Sequence, residues 1–130
     1  MTKLKSIPEG CQTIMPYLIL NNASGFALFM RKVFGAVLKN KVMRDENIIM
    51  HAELDLGGST LMFADATEVF PVQTAGLFIY VDDADLTYKK SLEAGATVVR
   101  DPSDQPYGRS AGITDPYGNT LWITSIDKKS

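Results

Sequence analysis

The chain has 130 residues, 45% of them hydrophobic and 22% charged, with a formal net charge of −2 and a pI near 5.3. That length fits one domain or two small halves sharing a core. Weak acidity without a Lys/Arg cluster excludes nucleic acid and anionic membrane as expected partners, and no apolar run approaches a membrane span.

The opening MTKLKSIPEG has no apolar run, so no signal peptide is expected, and residues 1–11 read as a loose lead-in. Cys11 is the single cysteine. An intrachain disulfide is therefore excluded, and a reducing cytoplasm is the expected compartment. Thr13–Leu20 is apolar and predicts a strand, with Pro16 implying an edge position or an irregularity. Phe26–Phe34 has apolar residues at 26, 29, 30, 33 and 34, which is helical spacing. Asn22 or Ser24 could cap that helix, and Gly35 would end it. Ala36–Met43 predicts a second strand. Ile48–Leu56 and Ser59–Ala64 predict a hairpin closed by Gly57-Gly58, whose glycines supply positive φ.

A polar linker, 66–73, leads to the same order of elements again. Ala75–Val81 predicts a strand, and Asp82-Asp83 cap a helix over Ala84–Glu93 that Gly95 ends. Thr97–Arg100 predicts a strand, and Asp101–Tyr107, with two prolines, an irregular loop. Arg109–Thr114 and Asn119–Ser125 predict a closing hairpin. The order is supported by a repeat at an offset of 60 residues. DLGGSTLMFA at Asp55–Ala64 answers DPYGNTLWIT at Asp115–Thr124, and Phe34-Gly35-Ala36 answers Ala94-Gly95-Ala96. The unit is βαβββ, twice: module one about 12–65 and module two about 74–126. This predicts an α+β fold with helices on one face. Each half is too small for a robust core alone, so the halves must pack together or pair with another chain, and a homodimer is expected.

Strand alternation sorts the hairpins into two faces. With Glu53 opposite Met62, the residues Ala52, Leu54, Leu56, Leu61 and Phe63 fall beneath the helices. The other face holds His51, Glu53, Asp55, Thr60, Met62 and Ala64. With Gly112 opposite Trp122, Ile113, Leu121 and Ile123 go beneath the helices. Ser110, Gly112, Thr114, Thr120, Trp122 and Thr124 go to the open face, which is too polar for a core.

The doubled unit, HAELDLGGSTLMFAD and ITDPYGNTLWIT together resemble the vicinal oxygen chelate superfamily of glyoxalase, bleomycin-resistance and extradiol dioxygenase proteins. PYL near the start, the HAEL strand and YGRSAGITDPYG resemble its PhnB-like branch. The resemblance implies a curved, cup-shaped mixed sheet with helices on the outer face, and common dimerisation. Metal-dependent members carry His or Gln on the first strand of each unit and Glu on the last. Those positions fall here at Met15 or Pro16, Met62, Gly76 or Ala75, and Trp122. None is a usual ligand for a hard or borderline divalent metal, so no metal and no cofactor are expected. The demethylubiquinone-methyltransferase label sometimes given to PhnB-like proteins is discounted, because no glycine-rich methyl-donor loop is present.

The expectation is a small-molecule-binding protein whose pocket is lined by Tyr17, His51, Glu53, Met62, Tyr80 and Trp122. His51, the single histidine, could be a base beside Glu53, but the ordinary reading is a hydrogen-bonded sheet histidine. Trp122 could stack on a planar guest or fill the space of a lost metal. Arg109 could clamp an anion, although a surface arginine is the ordinary reading. Cys11 has no histidine nearby in sequence to make it a nucleophile. The alternatives are a metal-dependent lyase, isomerase or dioxygenase rearranged around His51 and Glu53, an antibiotic-sequestering protein, and an inert homologue with a self-filled pocket.

Overall fold

A computed structural model describes residues 6–128. Ten elements follow in order: β1 (Tyr17–Leu20), α1 (Ala23–Phe34), β2 (Val37–Met43), β3 (Ile49–Leu56), β4 (Ser59–Asp65), β5 (Gly76–Tyr80), α2 (Ala84–Glu93), β6 (Thr97–Gln105), β7 (Gly108–Thr114) and β8 (Thr120–Ser125). They form two four-stranded sheets with orders β1-β4-β3-β2 and β5-β8-β7-β6. β1 and β5 run parallel to β4 and β8, and the other pairs are antiparallel. This is the predicted α+β arrangement of tandem βαβββ modules. Among the described residues no helix is long and apolar enough to cross a membrane.

α1 buries Phe26, Phe29, Met30 and Val33 of the stripe expected from helical spacing, together with Ala23, while Phe34 is only half-buried. Asn22 caps it, its side chain accepting from the Gly25 amide at 3.0 Å. Gly35 ends it at φ 73°, a left-handed conformation that a side chain would resist. The helix begins at Ala23, as a cap at Asn22 implies, and Asp65 reaches across from β4 to its first turn. Its carboxylate accepts from the Ala23 amide and the Ile49 amide, each at 2.7 Å. A single carboxylate thus satisfies an orphan helix N–H and ties α1 to two strands.

β1 is shorter than the expected Thr13–Leu20. Pro16 lies just outside it, and its carbonyl accepts from the Met62 amide at 2.9 Å. β1 is an edge of its sheet, as a nearby proline requires. The lead-in is not loose at its described end. Gln12 Nε2 donates to the Thr60 carbonyl at 2.7 Å, and Lys39 Nζ donates to the Gly10 carbonyl and the Thr60 hydroxyl. This strap explains why Thr60, expected on an open face, is buried.

The expected loop Asp101–Tyr107 is largely strand. β6 continues to Gln105, with irregular register at Arg100 and again before Ser103. β6 is the outer edge of its sheet, where the missing N–H of Pro102 breaks no inner ladder. The hairpin registers are as expected, Glu53 facing Met62 and Gly112 facing Trp122. Ala52, Leu54, Phe63, Ile113, Leu121 and Ile123 are buried in one cluster that draws on both modules. At the last turn Asp115 is buried. Its carboxylate accepts from the Asn119 and Tyr117 amides and from Asn119 Nδ2, at 2.8 to 2.9 Å. Burial pushes that carboxyl above its usual range, while these bonds pull the other way.

Asp65→Ala leaves the Ala23 and Ile49 amides without their acceptor. It is expected to cost about 2–3 kcal/mol, read as a lower denaturation midpoint at unchanged slope, with Asp65→Asn milder.

Candidate functional site

The first sheet positions a polar chain of side chains. Tyr17 on β1, Met62 on β4 and Glu53 on β3 stand side by side in register. His51 lies two residues before Glu53 and therefore on the same face. His51 Nδ1 is 3.4 Å from the Tyr17 hydroxyl, and Nε2 is 3.0 Å from Glu53. The Tyr17 and His51 rings lie 5.7 Å apart. Both imidazole nitrogens have partners, which is the arrangement of a hydrogen-bonded sheet histidine. The same chain can also pass a proton between a phenol and a carboxylate. A cavity of about 440 Å³ opens beside Tyr17, lined by Ile19 and Ala64 and closed by Thr67 and Phe70 of the linker.

The second sheet positions aromatic rings and a cation. Phe78 on β5 pairs with Trp122 on β8, Trp122 with Gly112 on β7, and Gly112 with Arg100 on β6. The six-membered ring of the indole lies over Gly112, where an added Cβ would stand 2.5 Å from the ring. The Arg100 guanidinium stands over the same indole, 5.1 Å from its centre. Trp122 is thus held between backbone and cation. Phe78 meets Tyr80 at 5.3 Å and Tyr107 at 5.8 Å. These three rings are 49%, 65% and 48% exposed, a contiguous apolar surface. Hydrogen bonds from Arg100 and Ser110 hold the Tyr107 hydroxyl below the usual phenol range. Ser110 and Thr124, expected on the open face, are buried, and their hydroxyls satisfy each other at 2.9 Å.

A second cavity, of about 450 Å³, lies where the modules meet. Ile14, Pro16 and Leu61 line it from the first module, and Leu77, Phe78 and Tyr80 from the second. Tyr17, His51, Glu53 and Met62 therefore group on one sheet, and Tyr80 and Trp122 on the other.

Sequence reasoning missed Phe78 and Arg100. Phe78 could have been found by alternation, since it shares a face with Tyr80 two residues on. Arg100 ended the expected strand Thr97–Arg100, whose irregular register with β7 could not be read from sequence. Arg109, the arginine singled out from sequence, is occupied: it donates to both oxygens of Asp85 at 2.9 and 3.2 Å and to Asp104 at 3.4 Å. Cys11 is a half-buried free thiol.

The positions that the resemblance gives to metal ligands hold no usual donor for a divalent metal. The residues that stand beside Met62 and Trp122 are Tyr17 and Phe78, rather than those near 15 and 75 expected from sequence. Phenol, thioether, phenyl and indole supply no imidazole or carboxylate at these points. Among the described residues no group of three or more His, Cys, Asp or Glu side chains is placed to hold a metal ion.

Gly112→Ala must move the indole. It is expected to cost about 1–3 kcal/mol and to shift Trp122 emission to the red, checked by thermal melts and fluorescence.

Comparison with known proteins places this geometry in a family. The chain is 30% identical over 118 residues to an uncharacterised protein of Mycobacterium bovis, covering 82% of this chain and 78% of that one. TioX from a Micromonospora species superposes with a TM-score of 0.71 at 25% identity, covering 88% of this chain and 95% of that one. An antibiotic binding protein from a Streptomyces species shares the fold with a TM-score of 0.69 at 20% identity, covering 89% and 99%. Residues 18–123 match the profile of the glyoxalase/bleomycin resistance protein/dioxygenase superfamily, and the chain belongs to that superfamily.

Proposed function

We propose that the chain binds a small, planar, largely apolar molecule at the junction of its modules, without a metal ion. The observation that carries this reading is the exposed Phe78–Tyr80–Tyr107 surface beside a cavity of about 450 Å³ that Phe78 and Tyr80 also line. Such a volume is that of a site for a drug-sized molecule. Trp122 stands beside Phe78 in register on the adjoining strand. A solved antibiotic binding protein of the same fold supports binding as a use of this scaffold. The branch nearest this chain is read as PhnB-like, on the PYL, HAEL and YGRSAGITDPYG segments. A reducing cytoplasm is read from the single cysteine.

The same reading includes a homodimer. The outer edge strands expose Val37, Leu38 and Val42 on β2 and Val98 and Val99 on β6, and unpaired apolar edges invite pairing. A second reading, acid–base chemistry at His51 and Glu53, is favoured by their 3.0 Å contact.

A guest found by calorimetry should perturb the emission of Trp122. Phe78→Ala and Trp122→Ala should each weaken it by about 1–3 kcal/mol while thermal melts stay cooperative. Wild-type affinity in both variants would move the site elsewhere. If instead His51→Ala alone abolishes a measured turnover, the second reading replaces the first. Light scattering should give twice the 14.3 kDa chain mass, and a concentration-independent monomer would remove the dimer.

A further inference from the structure

We propose that the guest is an aromatic carboxylate, whose acid group is received by Arg100. This rests on the reading that a planar guest lies against Phe78. Arg100 rests on the Trp122 ring and makes no ion pair with a carboxylate among the described residues. Its Nε is buried and has no hydrogen-bond partner among the described residues. Its Nη2 makes one long bond, 3.5 Å, to the Tyr107 hydroxyl. Nearby carboxylates are engaged elsewhere: Asp101 accepts from the Tyr88 hydroxyl at 2.8 Å, and Asp104 from Arg109 at 3.4 Å. A guanidinium offers five donors in a planar fork, and a donor buried without a partner destabilises the fold. The fork is matched by the two oxygens of a carboxylate.

The placement gives this acid an aromatic body. Arg100, Gly112, Trp122 and Phe78 form one row across four strands. Tyr107 closes the row from above, touching Phe78 by its ring and Arg100 by its hydroxyl. A flat guest lying on Phe78 and Tyr107 therefore directs a substituent at its edge towards the guanidinium. The carboxylate would replace Tyr107 as the acceptor and leave Arg100 seated on the indole.

The test is a matched pair of probes, 2-naphthoate and 2-naphthamide, titrated calorimetrically into the full-length chain. Wild type is expected to prefer the acid by about ten- to a hundredfold. Arg100→Met should abolish that preference while retaining affinity for the amide, and Phe78→Ala should weaken both probes together. Arg100→Lys, which keeps the charge but not the fork, should lose most of the preference, and it carries the test if the methionine variant does not fold. Equal binding of the two probes to wild type, both still weakened by Phe78→Ala, overturns the role of Arg100 and leaves the planar-guest reading standing. Preference retained in Arg100→Met overturns the role of Arg100 in the same way. Binding of neither probe, or binding indifferent to Phe78→Ala, overturns both.

Discussion

The ring of Tyr117 fastens the two halves of the chain. It meets Phe26 edge-on at 5.9 Å and Phe29 at 6.3 Å, so a turn of the second module is seated on the helix of the first. Each module is small enough for a core of its own to be marginal, and the two helices are in contact. The turn that presents Tyr117 must therefore be rigid. Asp115 provides this by accepting from two backbone amides and the Asn119 amide group, at the cost of burying a carboxylate.

That shared core frees the opposite sheet faces to diverge. Both modules place small and branched apolar residues beneath their helices, and their hairpins keep equivalent registers. On the outward faces the equivalence ends. The first carries a phenol, an imidazole and a carboxylate in hydrogen-bonding reach. The second carries three exposed rings and a guanidinium over an indole. The scaffold is one unit used twice, and its chemistry is two different surfaces.

Much of the scaffold was legible in the sequence because it rests on local rules. Alternation, helical spacing and paired glycines are properties of neighbouring residues, and they located both hairpins, both helices and their registers. The repeat at an offset of 60 then fixed the architecture. What failed locally failed for tertiary reasons. Pro102 reads as a loop breaker, yet an edge strand tolerates it at an irregular register. Thr60 reads as an outward polar residue, yet a strap from Gly10 and Gln12 covers it.

The same division holds at the site. His51, Glu53, Met62 and Trp122 could be assigned to outward faces from sequence alone, because a strand's period is local. Their partners could not. That Arg109 is consumed by Asp85, a residue 24 positions away on α2, follows only from how the helix lies on its sheet. That Arg100 stands over Trp122 with an unpaired Nε depends on the register between β6 and β7. Sequence determined which hairpin side chains share a face, though not which of them stay exposed, as buried Thr60, Ser110 and Thr124 show. Tertiary structure decided which of their charges were already answered, because a charge is neutralised by whatever the fold brings within a few ångströms, and chain order does not encode that distance.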